Sequence, residues 1–299
     1  MPVDEKVVQA LMETIPPAPA NELCKELSKH FDKCGLFYRI FARCKSASST
    51  IKKMRYKKYD ESSRKMQDLL GVRIALYFKD DIDICVQILQ KNYTILEIVR
   101  DEATSDTFKP MRLNIVCQMP DHISAQFVDE LWSLPIDKTF EIQIRTIFSE
   151  GWHEVEHDLR YKNQKDWIDS DDLSRNLNGV LATLETCDWA ILNVFDSLAY
   201  QKYKNKDWSA MLRNHLRIRI DDNQLNKEIA NLFDQKHELA KDFFRVDRQK
   251  LLLLLSDKRM FAFPRRIDNI VYIINELIIK DPELQALTPT VLKDNLASL

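Results

Sequence analysis

Polar side chains alternate with apolar ones in the segment around Glu141, and these polar residues are candidates for a catalytic or binding site. Glu141, Gln143 and Arg145 are separated by single apolar residues, which predicts a strand with one buried face and one polar face. Asp68 stands at the start of a second alternating segment, residues 68–78. If the two strands are neighbours, the Asp68 and Glu141 carboxylates could hold Mg²⁺, which prefers oxygen ligands.

A basic and hydroxyl-rich run extends from Arg43 to Lys65. Such a run is often only a solvated surface, and the pattern alone leaves that interpretation open. It also supplies the groups that a polyphosphate site needs, because Lys offers point charges, Arg offers forked donors and Ser offers short hydroxyl donors. Together with the two carboxylates, the run predicts phosphoryl or nucleotidyl chemistry, in which catalysis is mainly positioning and charge neutralisation.

The overall composition narrows these expectations. The chain of 299 residues has a formal net charge of −2, so binding of nucleic acid or of an anionic membrane would need a local patch. Only 4 glycines are present, and neither GxGxxG nor GxxxxGK can be written, so basic side chains must hold any phosphate. The 6 cysteines form no CxxC pair, and no signal peptide or membrane span is indicated. We therefore expect a cytoplasmic protein that does not associate with membranes.

The periodicity predicts an α/β protein with a mixed sheet flanked by helices, followed by a helical region. Strands are expected over residues 68–78, 93–100, 112–119 and 139–145. Helices are expected over residues 3–14, 21–41 with Asn21 as N-cap, 80–90, a long segment after 166, 207–219, 224–245, 246–257, 266–279 and a last one after Thr288. Residues 121–134 fit either a short helix or an irregular insertion. We expect two domains, residues 20–165 and the all-helical residues 166–299.

Three short motifs occur in a fixed order. They are RxKSxxS with a lysine ten residues after the arginine (Arg43, Lys45, Ser46, Ser49, Lys53), DxxGxR (Asp68, Gly71, Arg73), and ExQxRT followed by W, EH and YK (Glu141, Gln143, Arg145, Thr146, Trp152, Glu156, His157, Tyr161, Lys162). Together they resemble the RelA/SpoT family of alarmone synthetases, which transfer pyrophosphate from ATP to the 3′-hydroxyl of a guanosine nucleotide. The resemblance covers about residues 20–165 and implies a nucleotidyltransferase-type (α+β) domain.

The resemblance also implies a role for each matching residue. Arg43 and Arg73 would stack on adenine, Asp68 and Glu141 would bind Mg²⁺, and Glu141 could instead activate the acceptor hydroxyl. The remaining residues would bind the ATP phosphates (Lys45, Ser46, Ser49, Lys53) or lie on the acceptor side (Gln143, Arg145, His157), where Gln143 and Arg145 could also be structural.

One segment departs from the family pattern. Family members carry GYxSxH before the third motif, whereas residues 107–120 here read TFKPMRLNIVCQMP and keep only Lys109 and Pro110 of a related sequence. By this resemblance, the residues that bind the ATP donor are all present, whereas the segment that binds the acceptor differs from the family pattern. The acceptor could therefore be a guanosine nucleotide, another nucleotide or the 3′ end of tRNA, and a nucleotide-binding regulator without turnover is a further alternative. A homo-oligomer is also considered.

Two other patterns suggest different chemistry. His153, Glu154 and His157 spell HExxH, a zinc-protease motif that would need a third ligand such as Asp172 or Glu185. The same residues fall inside the third synthetase motif, so we favour the synthetase.

The second pattern is a mixture of cations and aromatic residues in the segment from Lys202 to Arg219. It could bind RNA through Tyr203, Trp208, Arg213 and Arg217. A solvated helix face with buried aromatic residues is the favoured interpretation.

Overall fold

The computed structural model describes residues 5–57, 59, 65–101, 112–222, 224–257, 260 and 263–297. Lys109 and Pro110, and residues 58 and 60–64 of the basic run, lie outside the described residues. Within the described part, no helix combines the length and the apolar character that crossing a bilayer requires.

The strands form one mixed sheet, as predicted, with five strands where four were expected. The strands are β1 (Tyr38–Cys44), β2 (Leu70–Leu76), β3 (Ile95–Arg100), β4 (Leu113–Gln118) and β5 (Thr139–Thr146), and their order in the sheet is β1-β2-β5-β4-β3. β2 and β5 are parallel, and the other neighbours are antiparallel. The apolar sides of β2 and β5 are buried, which places their polar residues on the opposite face.

Most of the other described residues are in helices. Those up to residue 155 are α1 (Glu5–Glu13), α2 (Ala18–Cys34), α3 (Ala47–Lys57), α4 (Asp81–Asn92), α5 (Asp121–Ser124) and α6 (Ile147–Val155). Those after residue 170 are α7 (Asp171–Lys204), α8 (Trp208–Leu216), α9 (Lys227–Gln235), α10 (His237–Phe244), α11 (Arg248–Leu255), α12 (Ile267–Ile274), α13 (Pro282–Leu287) and α14 (Thr290–Ala297). Short 3₁₀ segments occupy Asp129–Ser133 and Tyr161–Trp167, and π-helical turns occupy Glu156–Arg160 and Asn275–Ile279.

The predicted helix over residues 21–41 is wrong at both ends. The helix begins at Ala18, so Asn21 is not its N-cap, and it ends at Cys34. Gly35 follows with φ of +75°, a conformation that commonly terminates helices because glycine adopts it without strain. The next residues form β1, an edge strand whose alternation was obscured because Phe41 lies on its exposed side with 60% of its surface accessible.

The helix predicted over residues 224–245 is also wrong as a single element. It is two helices, α9 and α10, because Lys236 between them has φ of −112° and ψ of 81°, outside the helical region. Its ammonium group pairs with Asp281 at 2.9 Å and with Glu283 at 2.8 Å.

The described chain divides into two compact units. The first contains residues 1–29, 38–77 and 89–185, and it includes the whole sheet. The second contains residues 30–37, 78–88 and 186–299 and is helical. The change of unit falls inside α7, which begins after the boundary predicted near residue 166.

Candidate active site

Three strands bring the motif residues together on the polar face of the sheet. Arg43 in β1 is the register partner of Gly71 in β2, and Gly71 is in turn the partner of Glu141 in β5. Two residues further along the same strands, Arg73 is the partner of Gln143. Because register partners point to the same side of a sheet, residues of all three motifs form a continuous surface.

Asp68 lies just before β2 and is held by two lysines of the first motif. Its Oδ2 is 2.9 Å from Nζ of Lys45 and 2.7 Å from Nζ of Lys53. Burial acts to raise the pKa of Asp68, but the hydrogen bonds and charges of Lys53 and Lys45 outweigh it and hold this pKa below its ordinary value. Asp68 is therefore ionised at neutral pH, and both lysines pair with its carboxylate.

Glu141 is held by two amides. Asn114 in β4 donates to Oε1 of Glu141 at 2.8 Å, and Gln143 donates to the same oxygen at 2.9 Å. Gln143, expected on the acceptor side or as a structural residue, thus orients Glu141. Asp68 lies three residues before Gly71, the partner of Glu141, so the Cα atoms of the two acidic residues are within about 15 Å.

The unpaired oxygens of these two carboxylates are of the type that Mg²⁺ prefers as ligands. Oδ1 of Asp68 is buried without a hydrogen-bond partner, and no hydrogen bond among the described residues reaches Oε2 of Glu141. The described chain contains one group of three His, Cys, Asp or Glu side chains with closely spaced ligand atoms, and that group is Glu22, Glu26 and His122 on the surface. A metal near Asp68 and Glu141 would thus have two protein carboxylates, which suits an ion that keeps water and phosphate ligands.

The two serines of the first motif lie at the start of α3. The backbone N–H of Ser49 donates to Oγ of Ser46 at 3.3 Å, and the two hydroxyls are 2.9 Å apart. Ser46 therefore caps the helix in the usual N-terminal manner. An N-terminus of an eleven-residue helix with neighbouring lysines is suited to phosphate, because free N–H groups and the helix dipole favour anions.

Two arginines on the polar face, Arg73 and Arg145, are paired with α6. Arg73 contacts Glu150 at 2.9 Å and also contacts Glu154, and Arg145 donates to Glu150 at 2.9 Å. Burial and then the charges of Arg145 and Arg73 lower the pKa of His153 to about 4, so its ring is neutral at physiological pH. Asn114 and Glu150 were not predicted as site residues, although each has a signal in the sequence: Asn114 is a polar residue between apolar ones in a strand, and Glu150 follows Arg145 by five residues.

The zinc interpretation of HExxH gains no support from the structure. His153 is buried in α6, whereas His157 lies in the following π-helical turn, stacks on Tyr161 and pairs with Asp158 at 2.9 Å. Neither histidine belongs to a group of three metal-ligating side chains within the described ranges. His157 was predicted on the acceptor side; among the described residues it contacts Asp158 and Tyr161, which are its own neighbours along the chain.

The RNA-binding interpretation of the segment from Lys202 to Arg219 is not supported. Trp208 is 4% exposed, and Tyr203 stacks on Phe244 with ring centroids 5.2 Å apart. Arg217 is 8% exposed and donates to Asp196 at 2.8 Å. The buried Trp208 ring and the buried Arg217 guanidinium cannot contact an RNA strand without rearrangement.

Comparison with known proteins identifies a family that part of this chain resembles. Residues 42–166 match the family described as "Region found in RelA / SpoT proteins". This part of the chain resembles RelA/SpoT proteins. This match includes every residue of the three motifs, so the resemblance inferred from the motifs is confirmed.

One relative is the protein named GTP pyrophosphokinase YwaC of Bacillus subtilis (strain 168), which is 31% identical over 134 residues. The match covers 42% of this chain and 59% of that relative's length. Among solved structures, small alarmone synthetase 1 from Bacillus subtilis has a TM-score of 0.47 at 22% identity, covering 64% of this chain and 96% of that chain. The same synthetase bound to its product pppGpp has a TM-score of 0.46 at 22% identity, covering 58% and 90%.

Proposed function

We propose that this chain transfers pyrophosphate from ATP to the 3′-hydroxyl of a nucleotide. The observation that carries the proposal is the pairing of Asp68 with Lys45 and Lys53 at the start of β2, the strand beside Glu141. A phosphate-binding cluster and two carboxylates then occupy one end of a polar sheet surface. The RelA/SpoT region and the name of the related GTP pyrophosphokinase support the same reaction class.

The donor is bound by the first two motifs in this proposal. Lys45 and Lys53 turn from Asp68 to the ATP phosphates, and the hydroxyls of Ser46 and Ser49 with the N-terminus of α3 supply further donors. Arg43 and Arg73 hold adenine between their planar guanidinium groups.

The acceptor hydroxyl attacks the β-phosphorus of ATP. A bond forms between the 3′-oxygen and this phosphorus, the bond from the phosphorus to the α–β bridging oxygen breaks, and AMP leaves. Glu141 takes the hydroxyl proton, and its hydrogen bonds from Asn114 and Gln143 fix the direction of the free oxygen. Asp68 would hold Mg²⁺, which would supply charge neutralisation at the phosphates; in the alternative role, Glu141 would complete the metal site instead of acting as the base.

We propose a guanosine nucleotide as the acceptor, because the related protein is named a GTP pyrophosphokinase. The tRNA 3′ end and a regulator without turnover stay alternatives, since the acceptor segment departs from the family pattern. Reaction in the cytoplasm would give access to ATP and guanosine nucleotides. Assembly into a homo-oligomer stays a prediction.

The test is incubation of the full chain with ATP labelled in its β-phosphate and Mg²⁺, with GDP, GTP, ADP, ATP or bulk tRNA as acceptor. Label in GDP or GTP product supports the proposal, and label in tRNA supports the first alternative. ATP binding without transfer to any acceptor supports the second. Asp68→Ala and Glu141→Ala should abolish transfer while circular dichroism and thermal unfolding stay close to wild type.

A further inference from the structure

Glu150 joins two arginines that lie on different strands. Its Oε1 is 2.9 Å from Nη1 of Arg73 in β2, and its Oε2 is 2.9 Å from Nη1 of Arg145 in β5. The Glu150 side chain is only 14% exposed, whereas Glu154, which also pairs with Arg73, is 51% exposed. A carboxylate that gives one oxygen to each guanidinium fixes both side chains through charge-assisted hydrogen bonds.

The position of the two arginines explains why they need a shared anion. Arg73 is the register partner of Gln143, and Arg145 is the register partner of Ala75, so the arginines are diagonal neighbours on adjacent strands. Long side chains in this relation reach each other. The Arg73 side chain is 27% exposed and that of Arg145 is 18% exposed. Little water is therefore present to screen the repulsion between the two positive charges. Glu150 is the carboxylate that compensates both.

The pairing leaves Arg73 able to stack. A guanidinium is planar, and its N–H groups point outward in that plane. The contacts of Arg73 with Glu150 and Glu154 are both made by Nη1, at the edge of the group, so the two flat faces stay available for an aromatic ring. Glu150 therefore determines where those faces lie on the polar surface of the sheet.

We infer that Glu150 is a positioning residue for recognition of the adenine base. It acts through Arg73 and does not itself touch the nucleotide. This inference rests on the proposed function, because it takes ATP as the ligand that Arg73 contacts. It predicts that Glu150 contributes to binding of the base and not to binding of the phosphates, which Lys45 and Lys53 contact.

Two ligands separate these contributions. Dissociation constants for ATP and for inorganic tripolyphosphate, each with Mg²⁺ and without acceptor, are measured by calorimetry on the full chain. In Glu150→Gln, affinity for ATP should fall about tenfold, which lies between the effects of an exposed and a desolvated cation–π contact, while affinity for tripolyphosphate stays within twofold. Glu154→Gln is the matched control, since it removes the same charge one turn further along the helix, and its ATP affinity should change at most twofold.

The outcomes are distinguishable. Wild-type protein that does not bind ATP would overturn the proposed function, and this inference with it. Wild-type protein that binds ATP, beside a Glu150→Gln variant that binds ATP equally well or loses both ligands in parallel, would overturn the inference alone. If Glu150→Gln does not fold, Glu150→Asp keeps the charge but is too short to reach both arginines. It should show the same selective loss, and a parallel loss or no loss in that variant would overturn the inference.

Discussion

Replacing Gly71 with alanine should stabilise the protein while weakening its binding of ATP. A Cβ atom added at Gly71 meets no atom within 4 Å, and the backbone of this residue does not have positive φ. A protein with glycine in the middle of a strand is less stable than one with alanine there by about 0.5–1 kcal/mol. Gly71→Ala should therefore raise the free energy of unfolding by that amount. The open space above Gly71 lies between Arg43 and Glu141, where the proposed nucleotide passes, so the same methyl group should obstruct the ligand.

Urea unfolding and calorimetric titration with ATP measure the two effects on the same samples. Gly71→Val should weaken ATP binding more than Gly71→Ala, because its side chain fills more of the space. Gly179→Ala in α7 is the control: its added Cβ also meets no atom within 4 Å, so it should stabilise the helix by about 1 kcal/mol without changing ATP affinity. A Gly71→Val protein that is folded and binds ATP as wild type does would refute the placement of the nucleotide over this surface.

Three further predictions concern other parts of the chain. Arg248→Ala should lower the free energy of unfolding by about 3–5 kcal/mol in urea titrations, because it leaves the fully buried Asp81 without its partner; a change below 1 kcal/mol would contradict this. Between pH 6.5 and 4 the unfolded chain binds a proton at His153 that the folded chain does not bind, so stability should fall as pH falls, by about 3 kcal/mol at most. His153→Gln should remove that part of the slope, and an unchanged slope would show that the ring is not the cause. Lys53→Met should weaken ATP binding at least tenfold in calorimetry, and Lys52→Met, which changes the adjacent lysine, should change it at most twofold.

The strands were predictable because apolar and polar residues alternate along each of them. Along β5, Phe140, Ile142 and Ile144 alternate with polar residues, and this period is visible without any knowledge of the partners of the strand. β1 was missed because Phe41 occupies its exposed side, so the apolar residues no longer alternate cleanly. The termination of α2 depended on Gly35, whose positive φ is a property of the folded backbone.

The contacts that shape the site depend on distant pairs, and the sequence does not encode these in any short pattern. The motif residues could be named, but their partners could not: Asn114 reaches Glu141 across 27 residues, and Arg73 reaches Glu150 across 77. The pair of Arg248 with Asp81 spans 167 residues. Only the order of strands in the sheet and the packing of the helices bring such side chains together.

The contact of Asp68 with Lys45 and Lys53 has a consequence for how nucleotide affinity responds to salt. An unoccupied cluster of lysines attracts small anions from solution, and a phosphate ligand must displace them, which makes binding steeply dependent on ionic strength. Here a carboxylate of the protein already contacts both ammonium groups and balances one of their two charges. The arriving phosphates exchange places with this resident anion, so few ions are released and the affinity for ATP should decline only shallowly as salt is added.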